Sequence, residues 1–213
     1  MNKNNNMLVK LGLNIHPTVF GFSVLIILSF VTITLLNLQE MEAIFITIQS
    51  AIAHKAGWFY ILSVNIFLGF SIYLICSRYG KIRIGGKDAQ PEFTYWGWFS
   101  MLFSAGMGIG LVFYSVAEPI FHYISPPYGV GESIESAKIA MQFTFFHWGL
   151  HAWGIYAIVA LALAFFTYNR GLPLTIRSTF YPLLGEKIYG PIGNIIDITA
   201  AVATLFGLTT SLG

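Results

Sequence analysis

Three glycines alternate with apolar residues in the stretch Ala105-Gly106-Met107-Gly108-Ile109-Gly110-Leu111, inside an uncharged segment of membrane length. Each glycine lowers helix propensity by about 1 kcal/mol relative to alanine. Within lipid, a loosened backbone is tolerated only where protein or a water-filled cavity covers it. A spanning segment that weakens its own helix is therefore a candidate for a place where backbone meets substrate, and transport is the leading hypothesis.

Close helix packing is the alternative explanation of the glycine run. Gly106 and Gly110 form a GxxxG pair, and Ser104 and Gly108 form a second pair of small residues that would let two helices approach closely. At about 1.5 Å per residue, however, the glycines lie about 15–21 Å along the predicted span, near the bilayer midplane. Secondary transporters unwind helices at this depth, where freed carbonyls coordinate sodium and freed amides meet an anionic group of the substrate.

The composition is that of a membrane protein. Of the 213 residues, 56% are hydrophobic and 9% are charged, whereas soluble domains carry about 25% charged residues. The formal net charge of +2 is too small to suggest a nucleic-acid partner. The single cysteine, Cys76, has no partner for a disulfide within the chain. The predicted fold class is an all-α polytopic membrane protein whose partner is the lipid bilayer.

Windows without charge predict five spanning helices, because about 20 apolar residues cross the hydrocarbon core. The predicted spans are Val19–Leu38, Trp58–Ser77, Trp96–Tyr123, Ile139–Tyr168 and Pro191–Gly213. The connections are expected to include an external turn at Ser133–Lys138 and a short interfacial helix at Leu174–Lys187.

Basic residues predict the orientation of the spans. Nine of the eleven Lys and Arg residues lie on the side of the membrane that holds the N-terminus, and only Lys55 and Lys138 lie on the other. Because Lys and Arg are enriched in cytoplasmic loops, we expect a cytoplasmic N-terminus in a multi-pass protein of the cell membrane.

The predicted fourth span carries an aromatic cluster near mid-depth. At about 100° per residue, Trp148, Trp153 and Tyr156 share one broad face of a continuous helix. Ordinary helix packing explains them if Gly149 and Gly154 make room for the indoles. A cage for a quaternary ammonium also explains them, because such a cation has no N–H to donate and is attracted to aromatic faces by about 2 kcal/mol or more when desolvated.

Polar residues inside the spans are expected to be structural. His147 and His151 stand four residues apart, but they lack the glutamate and third ligand of a zinc site, so we expect them to bond to a neighbouring helix. Glu118 is expected to cap or pair near the outer end of the third span, and Asp197 near the inner end of the fifth. No nucleophile–base pair or metal triad is apparent, so an intramembrane enzyme is disfavoured and no catalytic residue is expected.

Three segments together form specific motifs. They are Phe103-Ser-Ala-Gly-Met-Gly-Ile-Gly-Leu-Val-Phe-Tyr114 with Ala117-Glu118-Pro119, Phe146-His-Trp-Gly-Leu-His-Ala-Trp-Gly-Ile-Tyr156, and Ala203-Thr-Leu-Phe-Gly207 with Thr210-Ser-Leu-Gly213. They resemble the third, fourth and fifth spans of the betaine/choline/carnitine transporter family, and the similarity runs from about Pro17 to the last residue.

The resemblance implies a twelve-helix architecture with two peripheral helices and two inverted repeats of five helices, some of them broken. The chain is expected to hold its N-terminal five helices. It would comprise a cytoplasmic tail (1–16), two peripheral helices with a cytoplasmic loop (17–95) and the first three helices of an incomplete first repeat (96–213). We therefore expect a truncated protein, and a transport-inactive membrane fragment is the alternative to an osmolyte importer.

The resemblance also implies the site residues. The family's aromatic box for a trimethylammonium group corresponds to Trp148, Trp153 and Tyr156, and its unwound segment corresponds to Gly106, Gly108 and Gly110. Family members that take choline tend to have aspartate at the position of Gly110, so glycine there implies a zwitterion such as glycine betaine.

Sodium is implied as the coupling ion, and no cofactor is expected. Ser104 and Met107 match positions whose carbonyls face one sodium ion, and Thr204 matches one hydroxyl of a second site. Leu208 stands where that second site has another hydroxyl, which departs from the family pattern. The resemblance further implies a homo-trimer for the full-length protein.

Overall fold

The computed structural model describes residues 15–106 and 109–212, without the side chains of residues 105, 106, 109, 110 and 210–212. Within these ranges the chain is helical and has no β-strand. Its α-helices are α1 (Pro17–Leu36), α2 (Leu38–Cys76), α3 (Tyr95–Gly106), α4 (Ile109–Ile124), α5 (Ile134–His147), α6 (Leu150–Ala164), α7 (Ile176–Thr179), α8 (Tyr181–Leu184) and α9 (Pro191–Leu212). The all-α prediction is confirmed.

Four described stretches are long and apolar enough to cross a membrane: Pro17–Leu36, Leu38–Cys76, Ile134–Asn169 and Pro191–Thr209. They correspond to the predicted first, second, fourth and fifth spans. The predicted third span is represented by α3 and α4, and Met107 and Gly108 between them lie outside the described residues. Whether the glycine run unwinds its helix therefore stays a prediction.

The first two spans differ from their predicted bounds. α1 ends at Leu36, where the backbone N–H and the side-chain amide of Asn37 both donate to the carbonyl of Ile33. α2 begins at once and runs for 39 residues, about 58 Å and well beyond the ~30 Å hydrocarbon core. The absence of charge predicted a second span, Trp58–Ser77, that falls within this helix except for its last residue. It could not locate its start, because Glu40 and Lys55 are compatible with a helix that continues outside lipid.

The segment between the fourth and fifth spans is helical but not one helix. It consists of α7, α8 and a 3₁₀ helix at Gly185–Tyr189. Pro182 lies in the first turn of α8, and Gly185, with φ +54°, ends it. Because a positive φ strains other residues, glycine is the residue that permits this sharp ending. The predicted external turn at Ser133–Lys138 is instead the capped start of α5, where Ser133 and Ser136 form a reciprocal capping box.

The described residues fall into two units, which are treated separately: residues 15–51 with 173–208, and residues 52–106 and 109–172 with 209–212. The first unit contains a buried ion pair: Arg177 is 6% exposed and its Nε donates to Asp197 Oδ2 at 2.5 Å. The backbone N–H of Arg177 donates to the other carboxylate oxygen, and its two terminal nitrogens donate to the Ile188 carbonyl and to Asn194 Oδ1. The structural role expected of Asp197 is confirmed.

Replacement of Asp197 by alanine should lower the free energy of unfolding of the chain in detergent by about 3–5 kcal/mol, because it leaves the guanidinium of Arg177 buried without its carboxylate. Unfolding in increasing dodecyl sulfate, followed by circular dichroism, measures this change. Glu135→Ala is the control: its exposed contact with Lys138 at 4.0 Å is worth at most about 1 kcal/mol. Equal effects of the two substitutions would contradict the assigned role.

Candidate functional site

The fourth span is broken at the aromatic cluster. α5 ends at His147 and α6 begins at Leu150, so Trp148 and Gly149 interrupt the helix. A Cβ on Gly149 would lie 2.8 Å from the carbonyl oxygen of Phe145, which explains why glycine occupies the break. The continuous helix assumed for the predicted shared face is therefore wrong, and the ring positions depend on specific contacts instead.

A buried carboxylate from α4 meets the broken end of α5. Glu118 is 8% exposed, and its Oε2 accepts from the indole Nε1–H of Trp148 at 2.8 Å. Nδ1 of His147 lies 2.9 Å from each carboxylate oxygen. Nε2 of His122, one turn further along α4, lies 3.5 Å from Oε1. The expected pairing of Glu118 is confirmed, and its partners include a residue of the predicted aromatic box.

The three predicted box residues form a connected but staggered group. The indole Nε1–H of Trp153 donates to the backbone carbonyl of Trp148 at 3.0 Å. The rings of Trp153 and Tyr156 have centroids 5.7 Å apart and an interplanar angle of 40°. The ring contacts described for Trp148 are with Tyr114 at 6.2 Å and His147 at 5.1 Å. The structure thus brings Trp153 and Tyr156 ring to ring and ties Trp148 to them through its backbone.

Both indole N–H groups at this site donate to protein acceptors. An indole has a single donor, so once it is bonded the ring offers a neighbouring ligand only its faces and edges. Trp153 is 37% exposed and Tyr156 is 70% exposed, so aromatic surface remains open at this site. The arrangement suits a ligand that needs no hydrogen-bond donor from these two indoles.

α2 contacts α6, the helix that follows the break. Nε2 of His151 lies 3.4 Å from Oδ1 of Asn65 in α2, and His147 contacts α4, so the expected bonding of both histidines to neighbouring helices is confirmed. A Cβ on Gly154 would lie 3.4 Å from the Cα of Leu68. The expectation that the glycines make room for the indoles is wrong, because Gly154 admits the α2 backbone instead.

The glycine run is only partly described. Gly106 is the last residue of α3 and Gly110 lies in the first turn of α4. Met107 and Gly108 lie outside the described residues, so the predicted substrate role of the run stays a prediction.

The remaining residues predicted to bind sodium lie in different units. Ser104 is an exposed residue of α3. Thr204 in α9 donates its hydroxyl hydrogen to the carbonyl of Ala200 at 2.8 Å, which leaves the oxygen lone pairs as acceptors. The sodium roles of both residues stay predictions.

Sequence reasoning missed the two partners of Trp148 on α4. Tyr114 and Glu118 are one turn apart and both face the C-terminal end of α5. The spacing of Tyr114, Glu118 and His122 at intervals of four was the available signal, since such residues share a helix face. It identifies a face but not the element that packs on it.

Comparison with known proteins identifies the relatives of this chain. The family profile described as BCCT, betaine/carnitine/choline family transporter, matches residues 18–213. A glycine betaine transporter from Acinetobacter baylyi is 50% identical over 94% of this chain and 30% of its own length. A glycine betaine transporter from Bacillus subtilis is 55% identical over 78% of the chain and 32% of its own length.

A high-affinity choline transport protein from Escherichia coli is 43% identical over 93% of the chain and 29% of its own length. The chain thus spans about a third of the length of these three relatives. Members of the matched family are transporters rather than enzymes.

Replacement of Gly149 by alanine should lower the free energy of unfolding by about 1–3 kcal/mol, because the added Cβ presses on the Phe145 carbonyl and the break must shift. Gly69→Ala in α2 is the control, since no atom lies within 4 Å of the position of its Cβ and alanine favours a helix. Unfolding in dodecyl sulfate distinguishes them. A Gly149→Ala chain as stable as the unmodified one would show that the break does not require glycine.

Proposed function

Because this chain belongs to the betaine/carnitine/choline transporter family, we propose that it forms part of the substrate pathway of a secondary transporter that imports a quaternary-ammonium osmolyte such as glycine betaine. The observation that carries the proposal is the aromatic pair of Trp153 and Tyr156, next to a break in a membrane helix. Relatives named as glycine betaine transporters support the choice of substrate class.

The aromatic pair is suited to a cation without N–H groups. A trimethylammonium group has no hydrogen bond to give, so it is held by aromatic faces and by burial of its methyl groups. The Nε1–H of Trp153 is occupied by the Trp148 carbonyl, which leaves the faces of the ring for the cation. We place the trimethylammonium group against Trp153 and Tyr156, with Trp148 completing the box.

The opposite end of the substrate is assigned to the glycine run. Gly106, Gly108 and Gly110 would present backbone amides to a carboxylate without steric obstruction from a side chain. Glycine at position 110 provides no anionic side chain to pair with a lone cation. A zwitterion that carries its own carboxylate therefore suits the chain better than choline.

Sodium is the proposed coupling ion. Oxygen ligands would come from the backbone at Ser104 and Met107 and, at a second position, from the hydroxyl of Thr204. Hard cations such as sodium prefer such oxygens, and the hydroxyl of Thr204 keeps its lone pairs available. Leu208 supplies no hydroxyl, so the second site would be weaker than one that has both.

The proposed setting is the cell membrane, with a cytoplasmic N-terminus and a trimer of the whole transporter. Nine basic residues on the N-terminal side against two on the other support the orientation. Association into trimers is proposed from the family resemblance alone.

Uptake of labelled glycine betaine tests the proposal. In a chimera, this chain replaces the matched part of the Acinetobacter baylyi transporter, and the host cell lacks its own betaine transport. We expect sodium-dependent uptake, and Trp153→Leu should raise KM roughly 30-fold, the equivalent of about 2 kcal/mol of cation–π attraction. Trp58→Leu, at a 67% exposed ring on α2, is the control and should leave KM unchanged.

The same assay separates the alternatives. Uptake that is indifferent to sodium would contradict the coupling proposal, and an unchanged KM in Trp153→Leu would contradict the aromatic box. The chain expressed alone is a further arm of the experiment. Sodium-driven uptake by that chain would exclude the hypothesis of a transport-inactive fragment.

Labelling with a membrane-impermeant maleimide tests the orientation. Cys76 is first replaced by serine, and single cysteines are then introduced at Lys87, after the second span, and at Tyr128, between α4 and α5. We expect Tyr128→Cys to react in intact cells and Lys87→Cys to react only after the membrane is permeabilised. The reverse pattern would place the N-terminus outside.

A further inference from the structure

Glu118 contacts more residues than a simple pairing near the end of a helix would require. Its side chain is nearly enclosed, with 9% of its surface exposed, although it lies inside an apolar helix. A carboxylate in such a place is stable only if donors surround it. Its closest contacts are with the two consecutive residues at the broken end of α5, His147 at 2.9 Å and Trp148 at 2.8 Å.

Hydrogen bonds hold both the backbone and the indole ring of Trp148. The backbone N–H of Trp148 donates to the Thr144 carbonyl at 3.1 Å, and the indole Nε1–H donates to Glu118. The ring of Tyr114, one turn before Glu118 on α4, packs at 6.2 Å. The indole therefore has one preferred orientation, and an acceptor on a different helix sets it.

The orientation of Trp148 extends to the rest of the box. The Trp148 carbonyl accepts from the indole of Trp153, whose ring packs on Tyr156. A single series of contacts thus runs from the carboxylate through Trp148 and Trp153 to Tyr156. A shift of residue 148 would displace the acceptor on which the second indole depends.

We propose that Glu118 is a positioning residue for the substrate: it holds the Trp148 indole from α4 and thereby fixes the geometry of the aromatic box across the helix break. The proposal rests on the substrate site assigned above, although its structural part is independent of transport. Glu118 does not touch the substrate and acts only through Trp148.

The NMR signal of the Trp148 indole N–H reports whether its hydrogen bond to Glu118 is present. In the nitrogen-15 spectrum of the chain in detergent, the indole N–H signal of Trp148 is identified by its loss in Trp148→Phe. Glu118→Leu removes the acceptor, so this signal should move upfield and its hydrogen exchange with solvent should accelerate. Glu118→Gln keeps an oxygen at the same distance and should leave the indole protected, which a variant that merely disturbs packing would not do.

Uptake by the chimera gives the functional part of the test. Glu118→Leu should raise KM about 10- to 100-fold, the range expected for loss of a hydrogen bond to a charged group, with a smaller change in maximal rate. Glu118→Gln should restore most of the affinity. In a Trp148→Phe background, Glu118→Leu should add little, because the indole N–H that it serves is already absent. Glu135→Gln, at an exposed carboxylate, is the control.

Each of these results either supports or overturns the positioning role of Glu118. An unmoved indole signal in Glu118→Leu, or effects of Glu118→Leu and Trp148→Phe that add in full, would overturn it. If Glu118→Leu does not fold, Glu118→Gln decides, since loss of both indole protection and affinity in that variant would also overturn it. If the unmodified chimera transports nothing, the proposed function fails, while the indole resonance still tests the positioning contact.

Discussion

The carboxylate of Glu118 is the constraint on which the described site depends. A charged or polar group inside an apolar segment must find partners, because no water replaces them there. In this chain those partners are His147 and Trp148, the residues at which α5 ends. The hydrogen bonds that Glu118 requires therefore determine which part of the fourth span lies against α4. The same hydrogen bonds stabilise a helix break, where backbone groups lack their usual helical partners.

The sequence predicted the fold class and most of the spanning helices, because these depend on composition and on the pattern of apolar residues. The spans follow from runs of apolar residues, so four of the five predicted spans correspond to described stretches of spanning length, and Pro191 starts α9 as predicted. The start of α2 and the break at Gly149 were not predictable from the same patterns. The length of an apolar run does not show where a helix continues beyond the lipid. One glycine in an aromatic run is compatible either with close helix packing or with a break in the helix.

The sequence predicted which residues belong to the candidate site, and their substrate role stays a prediction. The hydrogen bonds among them were not predictable. The resemblance implied Trp148, Trp153 and Tyr156, and aromatic residues would suit the proposed quaternary-ammonium substrate. That Trp153 donates to the Trp148 carbonyl, and Trp148 to Glu118, depends on tertiary contacts. Glu118 and Asp197 received the same structural interpretation from sequence, yet one meets an indole and an imidazole whereas the other meets a guanidinium.

The hydrogen bond between Glu118 and Trp148 also has an electrostatic consequence for the site. Attraction of a cation to an indole comes from the negative potential over the ring faces. A carboxylate that accepts the indole N–H polarises the ring and makes that potential more negative, and the effect is larger where water is excluded. Glu118 contacts the indole at the Nε1–H on the ring edge, so this contact does not itself cover a ring face. Under the proposed function, the ammonium end of a zwitterion would therefore meet a more negative aromatic surface.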